Sequence, residues 1–240
     1  MMPVIRSALF WAGFNISTII ITSILSVSFI FPFRIRYTIS RGWPFFNLWW
    51  LKVTCGLKHE ITGMENIPDE PVVIMSKHQS TWETISYQLF LPPMVWVLKR
   101  ELLWIPIFGW GVAMLNPIAI NRRLGKKSIN QLIDQGKKRL DAGINIMVFP
   151  EGTRTAAGEK THYRAGGAIM AAKAGRRIVP IAHNAGYFWP KKQFFKHPGT
   201  IKVVIGPPIE TAGKSVSEIM SEVEGWIEKT VEEIGGWNEL

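Results

Sequence analysis

VVIMSKHQSTWET, residues 72–84, runs from an apolar stretch through a histidine and small hydroxyls to a carboxylate. VVIMS lacks polar alternation, as a strand covered on both faces does. Ser80 and Glu83 have capping-box spacing, so a helix is expected to begin near Thr81. A strand, a short loop and a helix place His78 just past the strand's end, where open α/β sheets hold their ligands.

Outward from this unit the pattern repeats. HEITG (59–63), MVWVL (94–98), PIAI (117–120), INIMVF (144–149), RIVPIAH (177–183) and TIKVVIG (200–206) read as further strands. Between them SINQLIDQGKKRLDAG has helical spacing, with Ser128 able to cap, Ile129, Leu132 and Ile133 forming a stripe, and Gly143 able to end the helix. A last helix is expected after Ser215, with Glu218 completing a capping box. Strands alternating with helices predict an α/β fold, a mixed and largely parallel sheet flanked by helices on both sides.

The first fifty residues differ in texture. Leu9 to Ile30 carries no charge and is long enough to cross a hydrocarbon core. Arg6 stands alone before it, while Arg34, Arg36, Arg41 and Lys52 follow, a bias that puts residues 34–240 in the cytoplasm. The aromatic segment GWPFFNLWWLK (42–52) suits the headgroup level of a bilayer. Residues 1–54 are therefore expected to be a membrane anchor and interfacial helix, and 55–240 the α/β domain. The two hydrophobic segments either cross the membrane and lie on it, or sit together in one leaflet. Eleven tryptophans and a 47% hydrophobic content agree with a membrane, and a net charge of +10 with an anionic partner. The lone Cys55 excludes an intramolecular disulfide framework.

His78 and Glu83 admit two readings that can coexist. Glu83 caps its helix, or it accepts a bond from Nδ1–H of His78 and leaves Nε2 as a base. No G-x-S-x-G elbow or cysteine nucleophile accompanies the pair, so a base acting here implies direct attack by a substrate hydroxyl. No H-E-x-x-H or Cys/His cluster indicates a metal. In VFPEGTR (148–154), Gly152 permits close backbone approach, and Thr153 and Arg154 are donors suited to a phosphate. GWGVAMLNPIAINRR (109–123) has a small, apolar body suited to a groove and ends in Arg122 and Arg123. In IVPIAHNAG (178–186) the apolar strand and Pro180 read as structural.

Together, in this order, these blocks resemble the glycerophospholipid acyltransferase family, and within it the bacterial 1-acyl-sn-glycerol-3-phosphate acyltransferases. A histidine-x4-acid motif, an apolar block ending in arginine, an F-P-E-G-T-R block and a V-P-I block match His78–Glu83, Asn116–Arg122, Phe149–Arg154 and Val179–Ile181. The resemblance implies that His78 deprotonates a glycerol hydroxyl, that Glu83 orients the imidazole, and that Arg122 with the loop Glu151, Gly152, Thr153 and Arg154 holds the glycerol phosphate. Lys99 matches a basic position common in the family. It further implies an acyl donor, acyl-CoA or acyl carrier protein, as co-substrate and no bound cofactor. The expected partners are membrane lipids and lysophosphatidic acid, and the expected place is the cytoplasmic face of the bacterial inner membrane. Glu83 stands where the family commonly has aspartate, and Lys77 where it often has asparagine. Lys77 is thereby expected to meet the anionic substrate or to disfavour a charged imidazole.

Acylation of another lyso-lipid, such as a lyso-ornithine lipid, fits the same motifs. Hydrolysis with His78 activating water is a second class. A tethered protein that binds nucleic acid or anionic lipid by charge alone is a third, and its dispersed basic residues form no nucleic-acid module, so no nucleic acid is expected as a partner.

Overall fold

A computed structural model describes residues 2–121 and 124–235 of the chain. Every run expected to be a strand is one: β1 (Leu57–Thr62), β2 (Val73–Ser76), β3 (Met94–Lys99), β4 (Ile118–Ile120), β5 (Asn145–Val148), β6 (Ile178–His183) and β7 (Gly199–Ile205). They form one sheet in the order β1-β7-β6-β2-β5-β3-β4. All neighbours are parallel except β6 and β7, which reverses β1 and β7 relative to the other five. The fold is the expected mixed, mostly parallel α/β sheet.

Period-two alternation sends side chains to both faces. Ile74, Met147, Val179 and Ile181 pack on one side against Phe10 of α1 (Met2–Ser26), Leu48 and Leu51 of α3 (Gly42–Cys55), and Trp82 and Ile85 of α4 (Trp82–Phe90), with α2 (Phe33–Ser40) linking α1 to α3. Beyond β3, α5 (Phe108–Ala113) packs on α1. On the other side Val73, Met75, Ile146, Val148 and Ile178 meet α6 (Lys126–Asp141), α7 (Gly166–Ala174) and α9 (Val216–Ile234). A short α8 (Ala185–Phe188) follows β6.

The helix ends follow the sequence in one case and depart from it in another. Ser215 accepts Glu218 N–H at 3.2 Å while the Glu218 carboxylate takes Ser215 N–H at 2.7 Å, the expected capping box of α9. α6 instead begins two residues before Ser128, after Gly125, and the Ser128 hydroxyl donates to the carbonyl of Asn121. Gly143, at φ 80°, ends α6 as expected.

The N-terminal segments pair as an antiparallel hairpin. Arg6 Nε donates to Thr54 O at 2.8 Å, Trp50 Nε1 to Leu9 O at 3.0 Å, Asn47 Nδ2 to Ser17 Oγ at 3.0 Å, and Trp43 Nε1 to Thr18 Oγ1 at 3.1 Å. The crossing needs Gly13, where a methyl would lie 2.7 Å from Cδ1 of Trp50. Among the described residues α1 is the helix long and apolar enough to cross a membrane. Its outer face exposes Ile16, Ile19, Ile20 and Ile24 beside Phe45, Trp49 and Val53 of α3. Its inner face is part of the domain: the Phe10 ring meets Trp189 edge-on at 5.1 Å, and Lys196 Nζ sits 4.4 Å over Trp11. Packing is therefore continuous across the expected boundary at residue 54, because α3 shares the core of the sheet.

Candidate active site

β2 points Lys77 and His78 to opposite sides, as successive residues of extended chain must point. Lys77 N–H extends the ladder to Ile181 O (3.1 Å), and Thr155 N–H holds His78 O (2.8 Å). The imidazole lies flat on Phe149, centroids 4.0 Å apart and planes 12° from parallel. Its Nδ1 is 2.8 Å from Glu83 Oε1. The carboxylate only accepts, so Nδ1 carries the proton and Nε2 is left as the basic nitrogen.

Glu83 lies in the first turn of α4 and is fully buried. The same Oε1 also accepts the N–H groups of Gln79 (3.0 Å) and Ser80 (2.8 Å). Helix capping and imidazole orientation are thus one arrangement. The reciprocal half of the box is replaced: Ser80 Oγ donates to Trp189 O at 2.7 Å and accepts Trp82 N–H. Burial by itself would raise the Glu83 carboxyl. The neighbouring His183, the bonds from His78 and the Ser80 N–H outweigh it and hold the group below the usual carboxylate range.

Lys77 corrects the expectation placed on it. Its ammonium points to the other side of the sheet, 2.7 Å from Glu228 and 3.2 Å from Glu151, and Tyr163 donates to the same Glu228 oxygen at 2.7 Å. It does not line the cavity that His78 lines. Glu151 is drawn with it: this carboxylate accepts His78 N–H (3.3 Å) and Thr155 Oγ1 (2.9 Å) beneath the loop, away from the cavity. Burial raises the Glu151 carboxyl against the pull of Lys77.

The rest of the loop faces the other way. Gly152 (φ 73°) makes the turn, and Gly152, Thr153 and Arg154 line a cavity of about 460 Å³ with His78 and Phe149. Arg154 Nη1 bonds Thr81 Oγ1 at 2.5 Å, and the Arg154 carbonyl accepts Lys191 Nζ. Lys99 lines the same cavity. Most of the wall is apolar, supplied by Ile21 and Leu25 of α1, Trp96 and Leu98 of β3, and Phe108 and Val112 of α5. The expected Arg122, like Arg123, lies outside the described residues.

The sequence reading missed four contributors. Phe149 is part of the F-P-E-G-T-R block, but nothing in the block says that it bears the imidazole. Trp43 and Gln88 line the cavity from α3 and α4. His183, at the end of a strand read as structural, donates through Nε2 to Lys77 O at 2.8 Å.

Residues 58–184 match the family model described as Acyltransferase. The 1-acyl-sn-glycerol-3-phosphate acyltransferase of Pseudomonas aeruginosa is 43% identical over 235 residues, covering 96% of this chain and 91% of that protein. The 1-acyl-sn-glycerol-3-phosphate acyltransferase alpha of Mus musculus is 28% identical over 172 residues, 70% of this chain and 60% of that one. The crystal structure of PlsC, the 1-acyl-sn-glycerophosphate (LPA) acyltransferase from Thermotoga maritima, matches with a TM-score of 0.81 at 22% identity, covering 98% of each chain, a likeness of fold. The family match runs from β1 to just past His183, and a relative is similar along nearly the whole length, so this chain belongs to the acyltransferase family.

Proposed function

We propose that the chain moves a fatty acyl group from an acyl thioester, on coenzyme A or acyl carrier protein, to the free hydroxyl of 1-acyl-glycerol-3-phosphate, forming phosphatidic acid. The observation that carries this reading is the imidazole of His78, fixed by Glu83 and Phe149 beside a largely apolar cavity. His78 Nε2 takes the hydroxyl proton as the oxygen attacks the thioester carbonyl. The new C–O bond forms, the C–S bond breaks, and the imidazolium returns the proton to the departing thiolate. Glu83 opposes the transient charge on the ring, and backbone N–H groups steady the oxyanion. The thioester is consumed as co-substrate, and the step calls on no bound cofactor.

Arg154, Thr153, the Gly152 backbone and Lys99 supply donors for the glycerol phosphate, with Arg122 assigned there by the family motif. The names of the relatives support this acceptor. The apolar outer face of the α1–α3 hairpin favours its lying in one leaflet, with Arg34, Arg36, Arg41 and Lys52 favouring the cytoplasmic side.

Purified protein in liposomes, given lysophosphatidic acid and a long-chain acyl-CoA, tests the proposal. Phosphatidic acid formed by wild type and not by folded His78→Ala is the expected result. Turnover only with another lyso-lipid, such as lyso-ornithine lipid, overturns the acceptor. Fatty acid released without any acceptor overturns transfer in favour of hydrolysis.

A further inference from the structure

We propose that His183 is a positioning residue for the His78–Glu83 pair: its Nε2–H bonds the peptide carbonyl of Lys77, which fixes the chain that enters His78, and stands 3.9 Å from the second carboxylate oxygen of Glu83, ready to support its charge. That the pair is catalytic rests on the reading above; the contacts do not.

Glu83 Oε1 has three donors, whereas Oε2 is buried with no hydrogen-bond partner. A buried carboxylate oxygen without a donor is costly, and such an atom calls for an explanation. His183 Nε2 lies 3.9 Å from it. The tautomer of His183 is fixed from its other side. Nδ1 accepts Ala185 N–H at 3.2 Å, so the ring proton is on Nε2, directed at Lys77 O. A second proton on Nδ1 would face that same N–H. Burial, against the pull of Glu83, keeps His183 below the ordinary histidine range. The geometry therefore keeps a proton on Nε2, on the side that faces Lys77 O and Glu83.

The other titratable groups around the pair are engaged elsewhere. Lys77 Nζ faces Glu151 and Glu228, and the Tyr87 hydroxyl bonds Ser76 Oγ at 2.7 Å. The Trp82 and Tyr87 rings flank His183 at 6.4 and 6.2 Å and enclose it. When His78 takes up a proton, Glu83 must remain ionised in this enclosure. A shift of about 1 Å brings Nε2–H within bonding reach of Oε2.

Two variants separate the ring's two nitrogens. His183→Gln keeps a donor at the place of Nε2; His183→Asn keeps an acceptor at the place of Nδ1 and lacks the donor. Two quantities are read: steady-state kinetics with the acyl donor and lysophosphatidic acid, and titration of the Glu83 carboxyl by ¹³C NMR on protein carrying [5-¹³C]glutamate, assigned by signal loss in Glu83→Gln. For His183→Asn, kcat should fall about 10- to 100-fold, the scale of one hydrogen bond to a charged group. KM should stay within about twofold, and Glu83 should titrate higher by about one pH unit or more. His183→Gln should stay close to wild type in both. Equal behaviour of the two variants, or an unmoved Glu83 titration in His183→Asn, overturns the proposal. If wild type transfers no acyl group, the functional reading fails while the carboxyl titration still decides the role of His183.

Discussion

Replacing Glu83 by glutamine keeps the length of the side chain and removes its charge. Glutamine still offers an oxygen to Nδ1–H of His78 and to the N–H groups of Gln79 and Ser80, so the cap of α4 survives. The stabilisation of an imidazolium does not. Two unit charges 2.8 Å apart attract by about 6 kcal/mol at an effective dielectric of ~20, an upper bound because the ring faces a cavity that admits solvent. General-base catalysis contributes about 10²- to 10⁴-fold, or ~3–5 kcal/mol, which falls inside that bound. Expected for Glu83→Gln is a kcat lower by about 10²- to 10⁴-fold, with KM for lysophosphatidic acid within about threefold of wild type. The assay is phosphatidic acid formation in liposomes under saturating acyl-CoA, with thermal unfolding measured on the same preparation. Full turnover by folded Glu83→Gln would refute the reasoning, since the charge would then play no part and Glu83 would serve only through the oxygen that caps α4.

Four other outcomes follow from the same contacts. Arg154→Ala should raise KM for the acceptor about 10- to 100-fold, the effect of losing a charge-assisted phosphate contact, while thermal unfolding stays near wild type. Lys77→Asn should destabilise the fold by about 3–5 kcal/mol in urea unfolding, because Glu151 and Glu228 lose their buried counter-charge; KM should not change, since the ammonium faces away from the cavity. The Glu83 carboxyl is held below its ordinary 4.5, so its contribution to stability is complete above that value and is lost as pH falls through the lower folded-state value. The gap in unfolding free energy between wild type and Glu83→Gln should accordingly stay constant above about pH 5 and shrink as the pH falls below it. Gly111→Ala would set a methyl 2.7 Å from Cα of Thr22, forcing α5 off α1 at a cost of about 1–3 kcal/mol; an unchanged Tm would count against the packing described.

How much of this was legible in the sequence depended on how local the signal was. The strands were legible because runs buried on both faces lack polar alternation, and VVIMS and INIMVF show that within five and six positions. The His78–Glu83 pair was legible for a similar reason, as the end of a strand and the first turn of the next helix are five residues apart. The direction of Lys77 was within reach, because neighbours on extended chain alternate, but its partner Glu228 lies 151 residues away and no short spacing joins them. His183 was hidden in the same way: the residue it serves sits on another element. The pairing of α1 with α3 was illegible because both segments are apolar nearly all round, so hydropathy marks them as buried or lipid-facing without indicating which side meets the protein. Ser128 misled because its hydroxyl had a nearby carbonyl, Asn121, to bond instead of the helix end.

The two-sided character of α1 governs how this protein can be engineered. Thr18, Ile21, Thr22 and Leu25 wall the chamber, whereas Ile16, Ile19, Ile20 and Ile24 face outward, an interleaving set by the helical repeat. Truncating the helix to obtain a detergent-free sample would unroof the reaction chamber along with removing the greasy exterior. Rewriting only positions 16, 19, 20 and 24 with polar residues keeps the inner wall, so solubility and substrate enclosure are separable by choice of helix face and inseparable by deletion.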